Sequence, residues 1–210
     1  MAIIDLTQAY QEQVPGFSTE VARRLDRDGW NATTLSIYSH AGTHMDAPKH
    51  FGLDERGIDS FPPNRFFGRA WLIDATSVGA RGKIEPELVI PQLSDAFRRG
   101  DSLLIRTDWS KRIGTFAYRD ELPRISAELA RWCVAQEINM LGVEPPSVAD
   151  VNHLPEVTHI HQLLLPSVII IEGLVNLDQI STPSVELIAL PLKIAGGDGA
   201  PARVMAIEQV

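Results

Sequence analysis

Three of the six histidines in this 210-residue chain fall within eleven residues, and an aspartate lies between the second and the third. Imidazole nitrogens and carboxylate oxygens are the ligands that borderline and hard divalent metal ions prefer. A proline within the segment excludes a regular helix there. The sequence therefore predicts a metal site, built from His40, His44, Asp46 and His50 around Pro48.

The spacing of these residues restricts the backbone that can carry them. Alternate residues of an extended strand point to one face, so His44, Asp46 and His50 would share a face. On the same straight strand, His40 would lie about 13 Å from His44, at roughly 3.3 Å per residue. Two ligands of one ion cannot be so far apart. We therefore expect a turn or bulge at Gly42, where glycine permits unusual dihedral angles, followed by a short extended segment.

A second acidic residue with unusual surroundings is Glu172. It follows the apolar run 168–171, which is typical of a buried strand. A carboxylate at the end of such a strand costs free energy unless it is paired or bound to a metal ion. This position favours a ligand role, and the alternative is a strand-end residue that reaches solvent.

The bulk composition excludes some classes of partner. A hydrophobic content of 44% and a charged content of 22% are ordinary for a soluble protein, and the length fits one domain spanning residues 1–210. The net charge of −8 argues against nucleic-acid and anionic-membrane partners. We expect a cytoplasmic location, because the N-terminus lacks a signal-peptide pattern. The single cysteine, Cys133, fits a reducing compartment and is predicted to be a buried thiol.

Hydrophobic periodicity predicts strands interleaved with a few helices, and hence a mixed α/β fold. The predicted strands are 3–6, 33–39, 69–75, 102–107, 140–143, 190–194 and 203–208. The predicted helices run from residue 18 or 19 to about 27, from 91 to 99, and from 126 to 138.

The histidine-rich segment also resembles a known family. His40-x-Gly42-Thr43-His44-x-Asp46-x-Pro48-x-His50 matches the HxGTHxDxPxH signature of the cyclase family, which includes bacterial kynurenine formamidases and isatin hydrolases. The resemblance runs along nearly the whole chain. Residues 107–112 resemble the family's RTGW segment, with Asp108 in place of glycine. Residues 142–147 resemble its GIDxPS turn, with Glu144 in place of aspartate. Residues 196–201 resemble its GxDGxPxR ending.

The resemblance implies the swivelling β/β/α fold of this family and a site for one or two metal ions. His40, His44 and Asp46 would hold the first ion. Asp46 would bridge to a second ion, held also by His161 and Glu172. The ions would be zinc, one or two per chain, with manganese as the other option, and both metals accept nitrogen and oxygen ligands.

The resemblance also suggests roles for individual residues. The family has one histidine before a leucine run and a glutamate, which favours His161, with His159 as the alternative. His50 would be the general acid/base, since an imidazole pKa near 6.5 suits proton transfer. Phe17 and Thr43 would bind substrate, although Phe17 could equally pack the turn and Thr43 could equally hydrogen-bond the backbone.

The activity implied by the resemblance is metal-dependent hydrolysis of a small amide. Water activated by the metal would attack the carbonyl carbon of N-formylkynurenine or a related C–N compound. The alternatives are isatin hydrolase-like, lactonase or cyclase activity on another small carbonyl compound, and a non-catalytic metal-binding domain. Related proteins are homodimers or homotetramers, so we also expect a homo-oligomer.

Overall fold

The computed structural model describes residues 1–208, and none of the helices in that part of the chain is long and apolar enough to cross a membrane. The strands are β1 (Ala2–Asp5), β2 (Phe17–Arg23), β3 (Ala32–Ile37), β4 (His44–Asp46), β5 (Phe67–Asp74), β6 (Lys83–Ile84), β7 (Ser102–Arg106), β8 (Arg124–Ile125), β9 (Met140–Val143), β10 (Ile169–Glu172), β11 (Ser184–Pro191) and β12 (Gly199–Glu208). The α-helices are α1 (Leu25–Asp28), α2 (Pro86–Val89), α3 (Phe116–Asp120), α4 (Ala127–Ala135) and α5 (Leu154–Leu164).

Eight strands form the main sheet in the order β1-β12-β11-β5-β7-β9-β10-β4. Its middle is parallel from β5 through β7 and β9 to β10, and its remaining pairs are antiparallel. β4 also pairs with β12, which closes the sheet. The histidine-rich strand β4 is therefore hydrogen-bonded on both sides, and its position is fixed by two neighbours. The predicted mixed α/β fold is confirmed.

Apolar side chains cover both faces of the sheet. Along β7, Leu104 belongs to the core enclosed by the closed sheet, whereas Leu103 and Ile105 belong to the core beneath α4 and α5. A strand buried on both faces reads as a continuous apolar run, which is why this strand was predicted correctly.

Helix α4 occupies the position predicted for residues 126–138. The Ser126 hydroxyl caps it by accepting a hydrogen bond from the Leu129 N–H at 3.0 Å. Cys133 lies on this helix and is fully buried in the core beneath it, as predicted.

Two of the predicted helices are wrong. Residues 17–23 form strand β2, which pairs with β3 in a hairpin, and only the single turn α1 follows it. Residues 91–99 contain a 3₁₀ turn at Ile90–Gln92 and then irregular backbone. Here the Gln92 side chain donates to the backbone oxygens of Asp74 and Leu88. In both segments, contacts with other elements, β3 in the first and the end of β5 in the second, outweigh local helix propensity.

Candidate metal centre

The bend predicted for the motif is present, but the extended segment covers only His44–Asp46, and His50 lies in a 3₁₀ turn at Pro48–Phe51. Gly42 has φ 59°, a conformation that favours glycine, and β4 begins two residues later. In the paired register, His44 lies opposite Glu172 of β10, and Asp46 lies opposite Gly199 of β12. The pairing of β4 with β10 thus brings the carboxylates of Asp46 and Glu172 close together, although they are far apart in the sequence.

Two of the histidines are oriented by backbone carbonyl oxygens. The Nδ1 atom of His44 is 3.0 Å from the Gly42 oxygen, and the Nδ1 atom of His161 is 2.7 Å from the Val157 oxygen. Their Nε2 atoms lie 3.2 and 3.5 Å from the oxygens of Glu172. A histidine whose outer N–H donates to a carbonyl presents its other nitrogen as a metal ligand, which is the arrangement seen in metal centres generally.

The carboxylates of Asp46 and Glu172 are almost completely buried, at 1% and 3% exposed. Burial and the neighbouring Asp46 charge raise the pKa of Glu172, but His161 and His44 outweigh them and hold it below its usual value. The same kind of histidine contacts hold the pKa of Asp46 well below its usual value against burial. Both groups are therefore ionised, and two buried anions face one another.

One oxygen of Asp46 carries the strongest indication of a missing ligand. Within residues 1–208, the Oδ2 atom of Asp46 has no hydrogen-bond partner, and the Nε2 atom of His161 is 3.5 Å away. A buried charged oxygen without a partner is costly. The donor set of imidazoles and carboxylates around it fits a divalent cation.

His40 and His50 occupy the other side of Asp46. The Nδ1 atom of His40 is 2.8 Å from Asp46 Oδ1, and its Nε2 atom is 3.1 Å from Asp198 Oδ2. Burial opposes a charge on His40, but the contacts with Asp46 and Asp198 raise its pKa to about 9. The His50 ring stacks on His40 with a centroid separation of 3.8 Å.

The donor atoms fall into two groups that share Asp46. One group is His40, Asp46 and His50, and the other is His44, Asp46 and Glu172. Within each group the donor atoms lie within 4.8 Å of one another. The structure therefore brings the predicted ligands and His50 to one place, but it groups His44 with Glu172 and His50 with His40, and neither group includes His161.

His161 and His159 are the two candidates for the ligand after residue 150, and they lie on different faces of α5. His161 is buried against both carboxylates. His159 is exposed and lines a different surface cavity, together with His153 and Ser126. Only His161 reaches the centre.

The predicted substrate contacts lie outside the cluster. Both hydrogen-bonding functions of the Thr43 hydroxyl are used, because it donates to the Gly173 oxygen at 2.7 Å and accepts from the Gln8 N–H at 2.8 Å. This geometry favours the backbone-bonding alternative for Thr43. Phe17 is half-buried against Tyr10, with ring centroids 5.1 Å apart.

Sequence reasoning missed three residues around the cluster. Asp198 contacts His40, as described above. Phe51 stacks on the His161 ring with centroids 4.3 Å apart, and the Tyr10 hydroxyl donates to the Ala41 oxygen at 2.6 Å. Asp198 was present in the GxDGxPxR segment, but its contact with His40 depends on the pairing of β12 with β4.

The two departures from the family pattern have a local structural basis. Asp108 takes the left-handed conformation at φ 57°, which aspartate tolerates better than most residues. Its carboxylate is 2.8 Å from Arg106 Nε and 2.7 Å from Lys111 Nζ. Glu144 is buried and accepts hydrogen bonds from the Thr107 N–H at 2.6 Å and the Trp109 N–H at 3.1 Å, which fixes the same turn.

Comparison with known proteins gives consistent results over the whole chain. A family model described as "Putative cyclase" matches residues 4–150. A kynurenine formamidase from Bacillus cereus is 31% identical over 210 residues, covering 96% of this chain and 95% of the relative.

Solved structures extend the similarity to the fold. Isatin hydrolase A from Labrenzia aggregata superposes with a TM-score of 0.88 at 28% identity, covering 99% of this chain and 94% of that one. A protein described as a "predicted metal-dependent hydrolase from Bacillus stearothermophilus" gives a TM-score of 0.77 at 26% identity, covering 98% and 97%. With the family match and the 31% identical relative, these results show that the chain belongs to the cyclase family and has its fold.

Proposed function

We propose that this protein is a metal-dependent hydrolase that cleaves a C–N bond in a small amide, in the manner of an arylformamidase. The observation that carries the proposal is the buried Asp46 carboxylate, which has an oxygen without a hydrogen-bond partner within residues 1–208. Ring nitrogens of three histidines lie 2.8 to 3.6 Å from its oxygens. Metal ions at this position would compensate the two buried negative charges.

The relatives support the reaction class. Kynurenine formamidases and isatin hydrolases both carry names that describe hydrolysis of a C–N bond, and they match this chain over nearly its full length. The structure that is described as a metal-dependent hydrolase has the same fold. These similarities and the donor set support the same proposal independently.

The residues of this chain would have two roles in catalysis, metal binding and proton transfer. His40, His44, Asp46, His161 and Glu172 would hold one or two zinc or manganese ions, which when bound supply Lewis acidity and activate water. His50 is partly exposed, and burial lowers its pKa below the usual value, so it is neutral at pH 7. A neutral imidazole can accept a proton from the attacking water and return it to the leaving nitrogen.

A homo-oligomer is part of the proposal. Almost every residue of the β2–β3 hairpin is exposed, including the large apolar side chains of Val21, Leu35 and Trp30, each more than half exposed. An isolated two-stranded hairpin is marginally stable in water. A second copy of the chain covering this hairpin would bury that surface, and light scattering coupled to size-exclusion chromatography would detect a dimer or tetramer.

A substrate panel tests the activity. Zinc- or manganese-loaded protein would be assayed with N-formylkynurenine, isatin and small lactones, beside the variant His50→Ala. We expect turnover of an amide, and the variant should lose roughly 10²- to 10⁴-fold in kcat while keeping its metal. Isatin is the second candidate, because isatin hydrolase A has the TM-score of 0.88. A loaded protein that turns over lactones alone would contradict the proposed bond specificity.

A further inference from the structure

Asp198 lies outside the predicted site but touches it at two points. Its Oδ2 atom is 3.1 Å from Nε2 of His40 and 3.8 Å from Nδ1 of His50. The two imidazole rings are stacked on each other at this point, so one carboxylate lies at the edge of both. Its side chain is 46% exposed, which places it at the solvent side of the cluster.

His40, His44 and His161 lie closest to Asp46, and His40 differs from the other two in what holds its outer nitrogen. His44 and His161 each direct an outer nitrogen to a backbone carbonyl oxygen and an inner nitrogen to the buried carboxylates. His40 directs Nδ1 to Asp46, so its outer nitrogen is Nε2, and the acceptor there is Asp198. A carboxylate in this position fixes the tautomer and ring orientation of a metal ligand and increases its basicity.

The backbone around Asp198 is tightly held against β4. The Asp198 oxygen accepts a hydrogen bond from the Ala47 N–H at 3.0 Å, and Gly199 pairs with Asp46 in the sheet. A Cβ atom on Gly199 would come within 2.6 Å of His40 Cε1 and 2.7 Å of the Met45 oxygen. Only glycine allows this close approach, and it brings the preceding carboxylate to the histidines.

We propose that Asp198 is a positioning residue that orients His40 for the metal and, through its charge, favours the tautomer of His50 that can accept a proton. With its outer N–H donated to Asp198, His40 keeps Nδ1 as the nitrogen that faces Asp46. The Asp198 carboxylate is 3.8 Å from Nδ1 of His50, which is too far for a hydrogen bond, but its negative charge favours a proton on Nδ1 and leaves Nε2 free to accept one. This inference rests on the proposed function, since it assigns Asp198 a part in the same site.

The test compares Asp198→Ala with Asp198→Asn and with a control at a residue that holds the same loop from outside. Asparagine keeps an oxygen that can accept the His40 N–H, whereas alanine does not. The control is Asp59→Ala, because Asp59 accepts a hydrogen bond from the Gly196 N–H at 2.9 Å and touches neither histidine. Zinc affinity is measured by competition with a chromophoric chelator, and kcat and KM are measured separately at saturating zinc.

We expect Asp198→Ala to lose about 10- to 100-fold in zinc affinity, and asparagine to restore most of it. At saturating zinc, kcat should fall in Asp198→Ala with little change in KM, and Asp59→Ala should resemble the wild type in all three quantities. Wild-type zinc affinity and kcat in Asp198→Ala would overturn the inference. Equal losses of zinc affinity and kcat in Asp198→Ala and Asp59→Ala would also overturn it. They would show that the effect comes from disturbing the loop and not from the contact with His40. A wild type that binds no metal would instead contradict the proposed function.

Discussion

Two buried glutamates stand at the carboxyl ends of neighbouring parallel strands, and their surroundings differ. Glu144 follows β9 and accepts four hydrogen bonds, given by Thr107 N–H and hydroxyl, Trp109 N–H and the Ser110 hydroxyl at 2.6 to 3.1 Å. Glu172 ends β10 and, among the described residues 1–208, receives one backbone hydrogen bond, from the Val148 N–H at 2.8 Å. Its other neighbours are two histidines and the Asp46 carboxylate.

The difference separates a structural carboxylate from a candidate ligand. The charge of Glu144 is satisfied by uncharged donors of the protein, so it needs nothing further. Glu172 shares its surroundings with a second buried anion, and histidine nitrogens converge on both. Burial alone therefore does not identify a metal ligand in this fold. The informative feature is a buried carboxylate next to histidine nitrogens and to the Asp46 carboxylate, whose Oδ2 atom has no hydrogen-bond partner within residues 1–208.

The largest expected effect comes from Glu172→Gln. The variant keeps the size of the side chain and its acceptor for Val148, but it removes the negative charge beside the histidines. We expect loss of bound metal and a fall in kcat/KM of roughly a thousandfold or more, since metal catalysis supplies several kcal/mol. Metal analysis and steady-state kinetics would show it, and retention of metal and activity would remove Glu172 from the ligand set.

Removing the metal should lower thermal stability by a smaller amount. A ligand present at about 1,000 times its Kd stabilises the folded state by about 4 kcal/mol. At this chain length that corresponds to a decrease in Tm of roughly 10 °C on adding EDTA. Calorimetry would measure it, with reversal by zinc or manganese as the control. A Tm indifferent to both chelator and added metal would argue that the cluster binds nothing.

Glu144→Gln should show the opposite pattern from Glu172→Gln. It places an amide NH₂ group against buried N–H and hydroxyl donors, and we expect a loss of about 2–4 kcal/mol in the free energy of unfolding. Its metal content should equal that of the wild type. Urea unfolding and metal analysis of both variants would compare their stability and their metal content. If the two variants behaved alike, the distinction between the glutamates would fail.

Cys133 supplies a third buried ionisable group, and it should have the smallest effect on function. Burial raises the pKa of its thiol from the ordinary 9.0 to about 12, so the folded protein keeps it neutral at pH 8. Above pH 9 the unfolded chain loses this proton first, so the contribution of the thiol to stability decreases between about pH 9 and 12.

The rate of alkylation tests the prediction that the Cys133 thiol is buried and neutral. Iodoacetamide should modify the folded protein at pH 8 far more slowly than the protein in urea, by roughly a thousandfold. Cys133→Ala should retain metal and turnover. Rapid alkylation of the folded state would show that the thiol is accessible and that α4 packs differently from the structure.

The sequence was sufficient to predict features that depend on local pattern. The buried strands 102–106 and 140–143, the Ser126 cap and the bend at Gly42 all follow from residue type and near neighbours. The composition of the histidine segment was likewise enough to indicate a metal site. These features were predictable because each depends on a few consecutive residues.

Features that depend on pairing between distant segments were not predictable. Strand β2 was predicted as a helix, because its strand character comes from hydrogen bonds to β3 across the hairpin, whereas β3 itself was predicted as a strand. The contact of Asp198 with His40 joins positions 158 residues apart. It exists because β12 pairs with β4, and a single sequence gives no physical signal for that register.

Metal content of the purified protein tests the central claim most directly. Wild-type protein and His44→Ala would be purified without added metal and analysed by plasma mass spectrometry. The account predicts about one to two equivalents of zinc or manganese per chain in the wild type and their loss in the variant. A wild type that is metal-free and also fails to bind added zinc or manganese would contradict the metal-dependent mechanism.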